Sequence, residues 1–237
     1  MRFAPRTVTY AAFGLLLAHS PSPAQLLHIN DGRFYFLAGN AMTNMERFNE
    51  RLAPVLDFRI DQDFNTIGGG FYLNLIDNWT LGGEIHLMLS RTEPMDVYNG
   101  KFSGRFGYVN LGYLYHSGEG LNIFPEVGLG SSVLNIDIRP LGGGGFPGGS
   151  SGLNNQIGLS TVGFNVKFGV NADYLLAVKT DAEGKTWGIV LGFDIAYQFT
   201  PAQSEWERSG IRLFDDPNFK LQGAFLKLAA GFGWKED

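Results

Sequence analysis

The segment Trp187–Thr200 (WGIVLGFDIAYQFT) alternates between large apolar side chains and small or polar ones, and its polar set contains one acid, Asp194. A period of two predicts a β-strand with one face against an apolar medium and the other against a tight polar interior. A buried carboxylate is costly unless it is paired. We therefore expect a cation opposite Asp194. The first candidate is Lys227, which lies on the next strand along the chain.

The same alternation recurs along the chain, less cleanly in some segments. It predicts strands over Arg33–Ala41, Phe64–Asp77, 79–89, Lys101–Ser117, Leu121–Ile138, 158–174, Trp187–Thr200 and 219–234. The connections alternate between short turns (77–78, 117–120 and 179–185) and long loops (42–63, 92–100, 139–155 and 201–218). An even strand number with short turns at one end and long loops at the other is typical of outer-membrane barrels. The predicted fold is all-β, an eight-stranded antiparallel up-and-down transmembrane β-barrel.

One short helix is predicted between the first two strands. Met45, Phe48 and Leu52 have helical spacing, Thr43 or Asn44 can cap the start, and Pro54 ends the segment. A helix over Met45–Leu52 would plug the barrel, cap its mouth or pack on the rim. The strand over Lys101–Ser117 changes phase near Arg105, which predicts a bulge.

Composition separates two kinds of barrel that share this pattern. A lipocalin-like barrel would turn the glycine-rich polar face toward water and the apolar face inward. The chain of 237 residues has 33 glycines and 14% aromatics but only 17% charged residues, against about 25% in typical soluble domains. Low charge on a small, glycine-rich polar face favours lipid outside and a narrow lumen inside.

The N-terminal segment has the features of a secretory signal. Arg2 and Arg6 precede the apolar run Tyr10–Ala18, and Ser22-Pro23-Ala24 forms a small-x-small cleavage site. We predict a signal peptide over 1–24 and a barrel domain over 25–237. The chain lacks cysteine, which excludes disulfides and thiolate metal sites. Its formal net charge of −5 becomes more acidic when the two leader arginines are removed, so nucleic-acid binding is not expected.

Two sets of candidate residues follow from the strand parity. The lumen charge network is predicted to contain Glu84, His86, Arg105, Glu126, Lys167, Asp194 and Lys227. The aromatic girdle is predicted to contain Trp79, Tyr113, Tyr115, Trp187, Tyr197, Phe199, Phe232 and Trp234. Charges inside eight strands must pair, which favours a salt-bridged core. Glu84-x-His86 with Glu126 is an alternative general-base or metal constellation. We predict no catalytic residue, no metal and no cofactor.

The signal peptide, the strand dyads and the closing strand FLKLAAGFGW give the chain a resemblance over residues 30–234. It resembles the small eight-stranded outer-membrane proteins of OmpA/OmpX type, and MERFNERL and GGGFYLNL are similar to barrels from Bacteroidota. The resemblance implies the outer membrane of a Gram-negative bacterium, with outer-membrane lipid and the barrel-assembly machinery as partners. It implies a plugged, charge-paired lumen and a structural or surface-interaction role through the long loops. A lipid-modifying enzyme and a small-solute channel are the alternatives.

Overall fold

A computed structural model describes residues 29, 31–44, 46, 49–50, 62–75, 78–94, 98–140, 157–205, 207–208, 211–212 and 220–236. The segment predicted as a signal peptide lies outside these residues, as does most of the predicted helix. Within the predicted helix, Glu46, Asn49 and Glu50 have helical backbone, and the Asn44 side chain accepts a hydrogen bond from the Glu46 N–H at 3.3 Å. Among the described residues, no helix is long and apolar enough to cross a membrane.

The described residues form one antiparallel sheet. Its strands are β1 Asp31–Met42, β2 Asp63–Asn74, β3 Trp79–Pro94, β4 Tyr98–Tyr113, β5 His116–Gly118, β6 Leu121–Pro140, β7 Ile157–Thr180, β8 Lys185–Gln203, β9 Glu207–Arg208, β10 Ile211–Arg212 and β11 Gly223–Glu236. Eight of these strands are long: β1 to β4, β6 to β8, and β11. The short β9 and β10 lie within the long connection predicted after β8 and extend the sheet beyond β7.

The eight long strands close into a ring. Each pairs with the next, and β11 pairs with β1 from Asp31 opposite Lys235 to Ala41 opposite Phe225. Starting at Gly39 on β1, the paired residues followed through β11 and β8 lead to Asn171 on β7. The paired residues followed the other way round the ring, through β2, β3, β4 and β6, lead from Gly39 to Thr161 on β7. This offset of ten residues along β7 is the stagger that closure of a tilted barrel requires. The predicted eight-stranded barrel is confirmed.

The two faces of the wall have opposite chemistry. On β8, Ile189, Leu191, Phe193 and Ile195 are 44–58% exposed, whereas Asp194 is 2% exposed. On β1, β2 and β11 the side chains also alternate between outward and inward, with polar and apolar residues together on the inward face. An apolar exterior around a closed ring with a polar interior is the surface of a membrane-spanning barrel, because the ring satisfies every backbone group internally. The described strands therefore form a membrane-spanning β-barrel.

The short turns lie where the sequence predicted them. Asn78, Glu119, Gly120 and Gly184 have positive φ and reverse the chain at that end. The register shift nearest the predicted bulge, however, lies on β3 between Met88 and Arg91, while the pairing of β4 with β6 is continuous. The predicted phase change on β4 is therefore wrong.

The predicted girdle residues lie on the outer surface to different extents. Trp79, Tyr113, Tyr115, Trp187, Tyr197 and Phe232 have exposed side chains, while Phe199 and Trp234 are half-buried. Trp79 contacts Tyr113 edge-on, and Trp187 packs against Trp234, both at 5.6 Å between ring centroids. These two pairs lie near the short-turn end, so that rim carries the aromatic anchors typical of a membrane interface.

Candidate functional site

Lys167 lies at the centre of the interior cluster, on the inward face of β7. Its ammonium donates to Glu84 Oε1 at 2.6 Å and to Glu126 Oε1 at 2.5 Å, and it lies 3.5 Å from Asp194 Oδ2. The side chain is fully buried. One cation therefore joins carboxylates from three different strands, β3, β6 and β8.

Lys227, on β11, is the second cation of the cluster. It pairs with Glu84 Oε2, and its Nζ lies 2.7 Å from Asp194 Oδ2. Lys227 and Asp194 are also direct neighbours in the register of β11 and β8. The cation expected opposite Asp194 is thus Lys227, with Lys167 farther away.

The central cluster holds more acids than ammonium groups. Glu84, Glu126 and Asp194 face Lys167 and Lys227, and all five are at most 6% exposed. The nearest additional base is His86, whose Nε2 lies 3.4 Å from Glu84 Oε2. Buried charges are tolerated where they are paired and hydrogen-bonded, so the third carboxylate depends on neutral donors or on His86.

Tyrosine and amide side chains supply such donors. The Tyr72 hydroxyl donates to Glu126 Oε2 at 2.7 Å, and Asn110 donates to the Tyr72 oxygen at 2.9 Å. The Tyr108 hydroxyl donates to Gln198 at 2.8 Å, and its ring lies beneath the Lys167 ammonium. Tyr72 is therefore the direct neutral donor to Glu126, Asn110 supports Tyr72, and Tyr108 contacts the cluster through its ring.

A second charged cluster, near the short-turn end, was not among the predicted residues. Arg33 donates to both Asp31 oxygens at 3.1 and 2.9 Å and pairs with Asp173 on β7. Tyr35 donates to Asp173 Oδ2 at 2.6 Å. Amide donors from Asn74 and Asn122 complete the partners of Asp31, both at 3.1 Å.

Apolar layers lie on both sides of the central cluster. Toward the loops, the buried layer contains Ala41, Phe64, Met88, Phe102, Phe106, Leu134, Ile136, Ile138, Leu221 and Phe225. Toward the turns, it contains Tyr35, Leu37, Tyr72, Leu114, Phe124, Leu175 and Val190. His86 belongs to the loop-side layer, because its ring stacks on Phe106 at 4.9 Å and contacts Phe225 at 5.0 Å.

Arg105 departs from the predicted network. Its side chain is exposed on the outer face of β4, between Leu87 and Val133 of the neighbouring strands, while Phe106 points inward. The physical reason is strand parity: β4 keeps one phase, so Arg105 shares the face of Val109 and Leu111. The lumen network thus contains the other six predicted residues and not Arg105.

The Glu84-x-His86 pair is not arranged as a free general base. Both Glu84 oxygens are occupied by lysines, and the Glu84 and His86 side chains are each 1% exposed. A substrate would have to displace ion pairs to reach them. Within the part of the chain that the structure describes, no group of three or more His, Cys, Asp or Glu residues could hold a metal ion.

No protein-family model and no curated protein matches the chain. Solved structures do. This chain is similar to Ail, the attachment invasion locus protein of Yersinia pestis, at 10% identity and a TM-score of 0.47, and the match covers 86% of this chain and 99% of Ail. It is also similar to a major outer membrane protein from Thermus thermophilus, at 12% identity and a TM-score of 0.42, covering 86% and 98% of the two chains. The outer membrane protease OmpT from Escherichia coli aligns at 11% identity and a TM-score of 0.38, covering 86% and 96%.

These similarities are distant, and the barrel assignment rests on the closed ring and its apolar exterior. At this low identity, no functional role is transferred from these proteins to the interior residues. What the interior can do follows from its own geometry, which is a set of salt bridges enclosed between two apolar layers.

Proposed function

We propose that the protein is a non-conducting outer-membrane barrel with a structural or surface-interaction role through its long loops. The observation that carries this proposal is the filling of the interior on both sides of Lys167. Phe106 and Phe225 in the loop-side layer, and Tyr72 and Phe124 in the turn-side layer, are each at most 4% exposed. Eight strands leave an interior that side chains can fill.

Conductance in planar bilayers tests this proposal. Wild-type protein is expected to give no steady ion current. A variant with Phe106→Ala and Phe225→Ala serves as the positive control, because it removes two of the largest buried rings beside the cluster. Steady current through the wild-type barrel would overturn the non-conducting role and favour the small-solute channel.

Loop replacement tests the surface role. Each of the segments 45–61, 141–156 and 206–219 is replaced by a short Gly-Ser turn, and cells displaying each variant are applied to a panel of immobilised extracellular-matrix proteins. Loss of binding on replacing one segment, with heat-modifiable mobility preserved, supports interaction through that loop. If all three variants bind as wild type does, this contradicts a surface-interaction role through these three segments and leaves the structural role.

The lipid-modifying alternative is favoured by no observation in the interior. The Glu84 and His86 side chains are buried, and the Glu84 carboxylate is paired with both Lys167 and Lys227. Mass spectrometry of lipid A from cells with and without the protein tests the alternative. A changed acyl-chain pattern would replace the proposed function by an enzymatic one. The proposal includes insertion by the barrel-assembly machinery, which would recognise the C-terminal strand β11.

A further inference from the structure

The outer surface has a shallow groove across β3, β4 and β6. Its volume is about 400 Å³, and its walls include Ile85, Val109, Leu129 and Val133. The groove arises because two small residues, Gly107 and Ser131, are direct partners on β4 and β6 and leave a gap among larger side chains. It lies in the apolar belt, since Ile85, Val109 and Leu129 are 59, 48 and 53% exposed.

Arg105 stands at one end of this groove. Its strand neighbours Leu87 and Val133 are apolar, so the guanidinium projects from an apolar stretch of wall. Among the residues that the structure describes, no carboxylate pairs with it. An arginine on a lipid-facing surface is unfavourable unless it reaches the interface and finds an anion.

The depth of Arg105 identifies which interface it reaches. On the outer face of β4, Arg105 follows Tyr113, Leu111, Val109 and Gly107 in the direction of the loops. Eight residues at ~3.3 Å per residue span about 26 Å along the strand, or about 20 Å across the membrane at a strand tilt near 40°. The apolar band of such barrels is about 25 Å tall, so Arg105 lies about 5 Å inside its loop-side boundary. An arginine side chain is long enough to carry its guanidinium over that distance to the interface.

We propose that Arg105 and this groove bind one phosphate-bearing glycolipid of the outer leaflet. The guanidinium binds the phosphate by paired N–H···O bonds, which suit its planar geometry. One acyl chain lies in the groove over Gly107 and beside Ser131. The loop end of an outer-membrane barrel faces outward, which assigns the lipid to the outer leaflet. This inference depends on the membrane placement and not on the proposed role of the loops.

Native mass spectrometry of the folded, full-length protein released in mild detergent tests the proposal. The probes are lipid A, lipid A from which the phosphates have been removed, and phosphatidylglycerol. Wild type is expected to retain one lipid A, and removing the phosphates is expected to lower retention at least tenfold. Arg105→Gln is expected to lower the retention of intact lipid A to the same level.

Two further variants separate the parts of the site. Lys179→Gln makes the same change of charge at an exposed position near the short turns and is expected to leave retention unchanged. Ser131→Leu fills the groove while keeping Arg105 and is expected to lower retention about fivefold. Unchanged retention in Arg105→Gln would overturn the site, and unchanged retention in Ser131→Leu would overturn its acyl-chain half. Equal retention of phosphatidylglycerol and lipid A would overturn the assignment to an outer-leaflet glycolipid.

Discussion

Lys227 and Asp194 face each other across β11 and β8, with the ammonium nitrogen 2.7 Å from a carboxylate oxygen. Lys227 also pairs with Glu84, so it neutralises two buried acids, whereas Asp194 has Lys167 as a second, more distant cation. The two members of this ion pair are therefore not equivalent. Without Lys227, both Glu84 and Asp194 lose a positive partner. Without Asp194, two acids, Glu84 and Glu126, remain beside two lysines.

Lys227→Met is accordingly expected to destabilise the barrel by about 3–5 kcal/mol, the usual effect of removing one partner from a buried pair. Asp194→Asn is expected to cost less than half as much. Urea unfolding in detergent micelles, followed by tryptophan fluorescence, measures both. Lys179→Met is the matched control, because the Lys179 side chain is exposed near the short turns and an exposed charge is expected to contribute at most about 1 kcal/mol. Equal losses in Lys227→Met and Asp194→Asn would contradict the unequal roles.

The loop-side apolar layer makes a second prediction. Phe225 is fully buried against His86 and Phe106, so Phe225→Ala is expected to cost about 3–5 kcal/mol. Phe232 lies on the same strand but points outward and is 67% exposed. Phe232→Ala in detergent is expected to have a much smaller effect. A larger effect of Phe232→Ala would indicate that the lipid face, not the interior, dominates stability.

The closing seam between β11 and β1 leaves little room at Gly231. A Cβ there would collide with the backbone carbonyl oxygen of Phe34, which cannot move without breaking the pairing. Gly231→Ala is expected to reduce the heat-modifiable, folded fraction of the protein. At Gly69, on the outer face of β2, a Cβ would meet its nearest atom at an ordinary 3.4 Å, so Gly69→Ala is expected to fold normally. Normal folding of both variants would show that the seam can widen.

The turn between β7 and β8 predicts a dependence on pH. The Asp181 carboxylate accepts the backbone N–H groups of Lys185 at 2.9 Å and Glu183 at 3.0 Å, and these bonds hold its pKa below the usual range. A depressed pKa contributes stability that is present above the unfolded-state value of about 3.9 and is lost as the pH falls through the folded value.

Asp181→Ala is therefore expected to unfold at lower urea concentration than wild type at pH 7, with the difference shrinking below about pH 4. Glu183→Gln is the control, because it removes a charge from the same turn but keeps the backbone donor. Unfolding midpoints measured from pH 2 to pH 7 give the comparison. A difference that stays constant down to pH 2 would rule out the carboxylate as its cause.

Strand parity alone predicted much of this barrel. The eight strands follow from a period of two, and the inward face of β8 with Asp194 follows from the same rule. Of the four connections predicted to be long, 92–100 is short, because β3 continues to Pro94 and β4 begins at Tyr98. The prediction that Arg105 belongs to the lumen network is wrong, because it depends on a phase change in β4 that the structure does not have. Parity without that assumption puts Arg105 beside Val109, on the outer face.

The Arg33–Asp173 cluster was missed for a different reason. The first strand is short, and it has large side chains at both parities in Phe34–Leu37, so the sequence pattern does not assign Arg33 to the inward face. Asp173 has the parity of Lys167 on β7, and that signal was available. Which charges meet across the lumen depends on the stagger of the strands, and the sequence pattern does not contain it.

The central salt bridges also constrain how the barrel can assemble. Glu84 meets Lys167 across 83 residues of sequence and Lys227 across 143. Both lysines arrive late in the chain, and Lys227 comes from the strand that closes the ring. Until that strand docks, Glu84 and Asp194 lack a main counter-charge, and a partly built wall would expose them to lipid. The second counter-charge of the cluster thus arrives only at ring closure, which disfavours stable half-barrels.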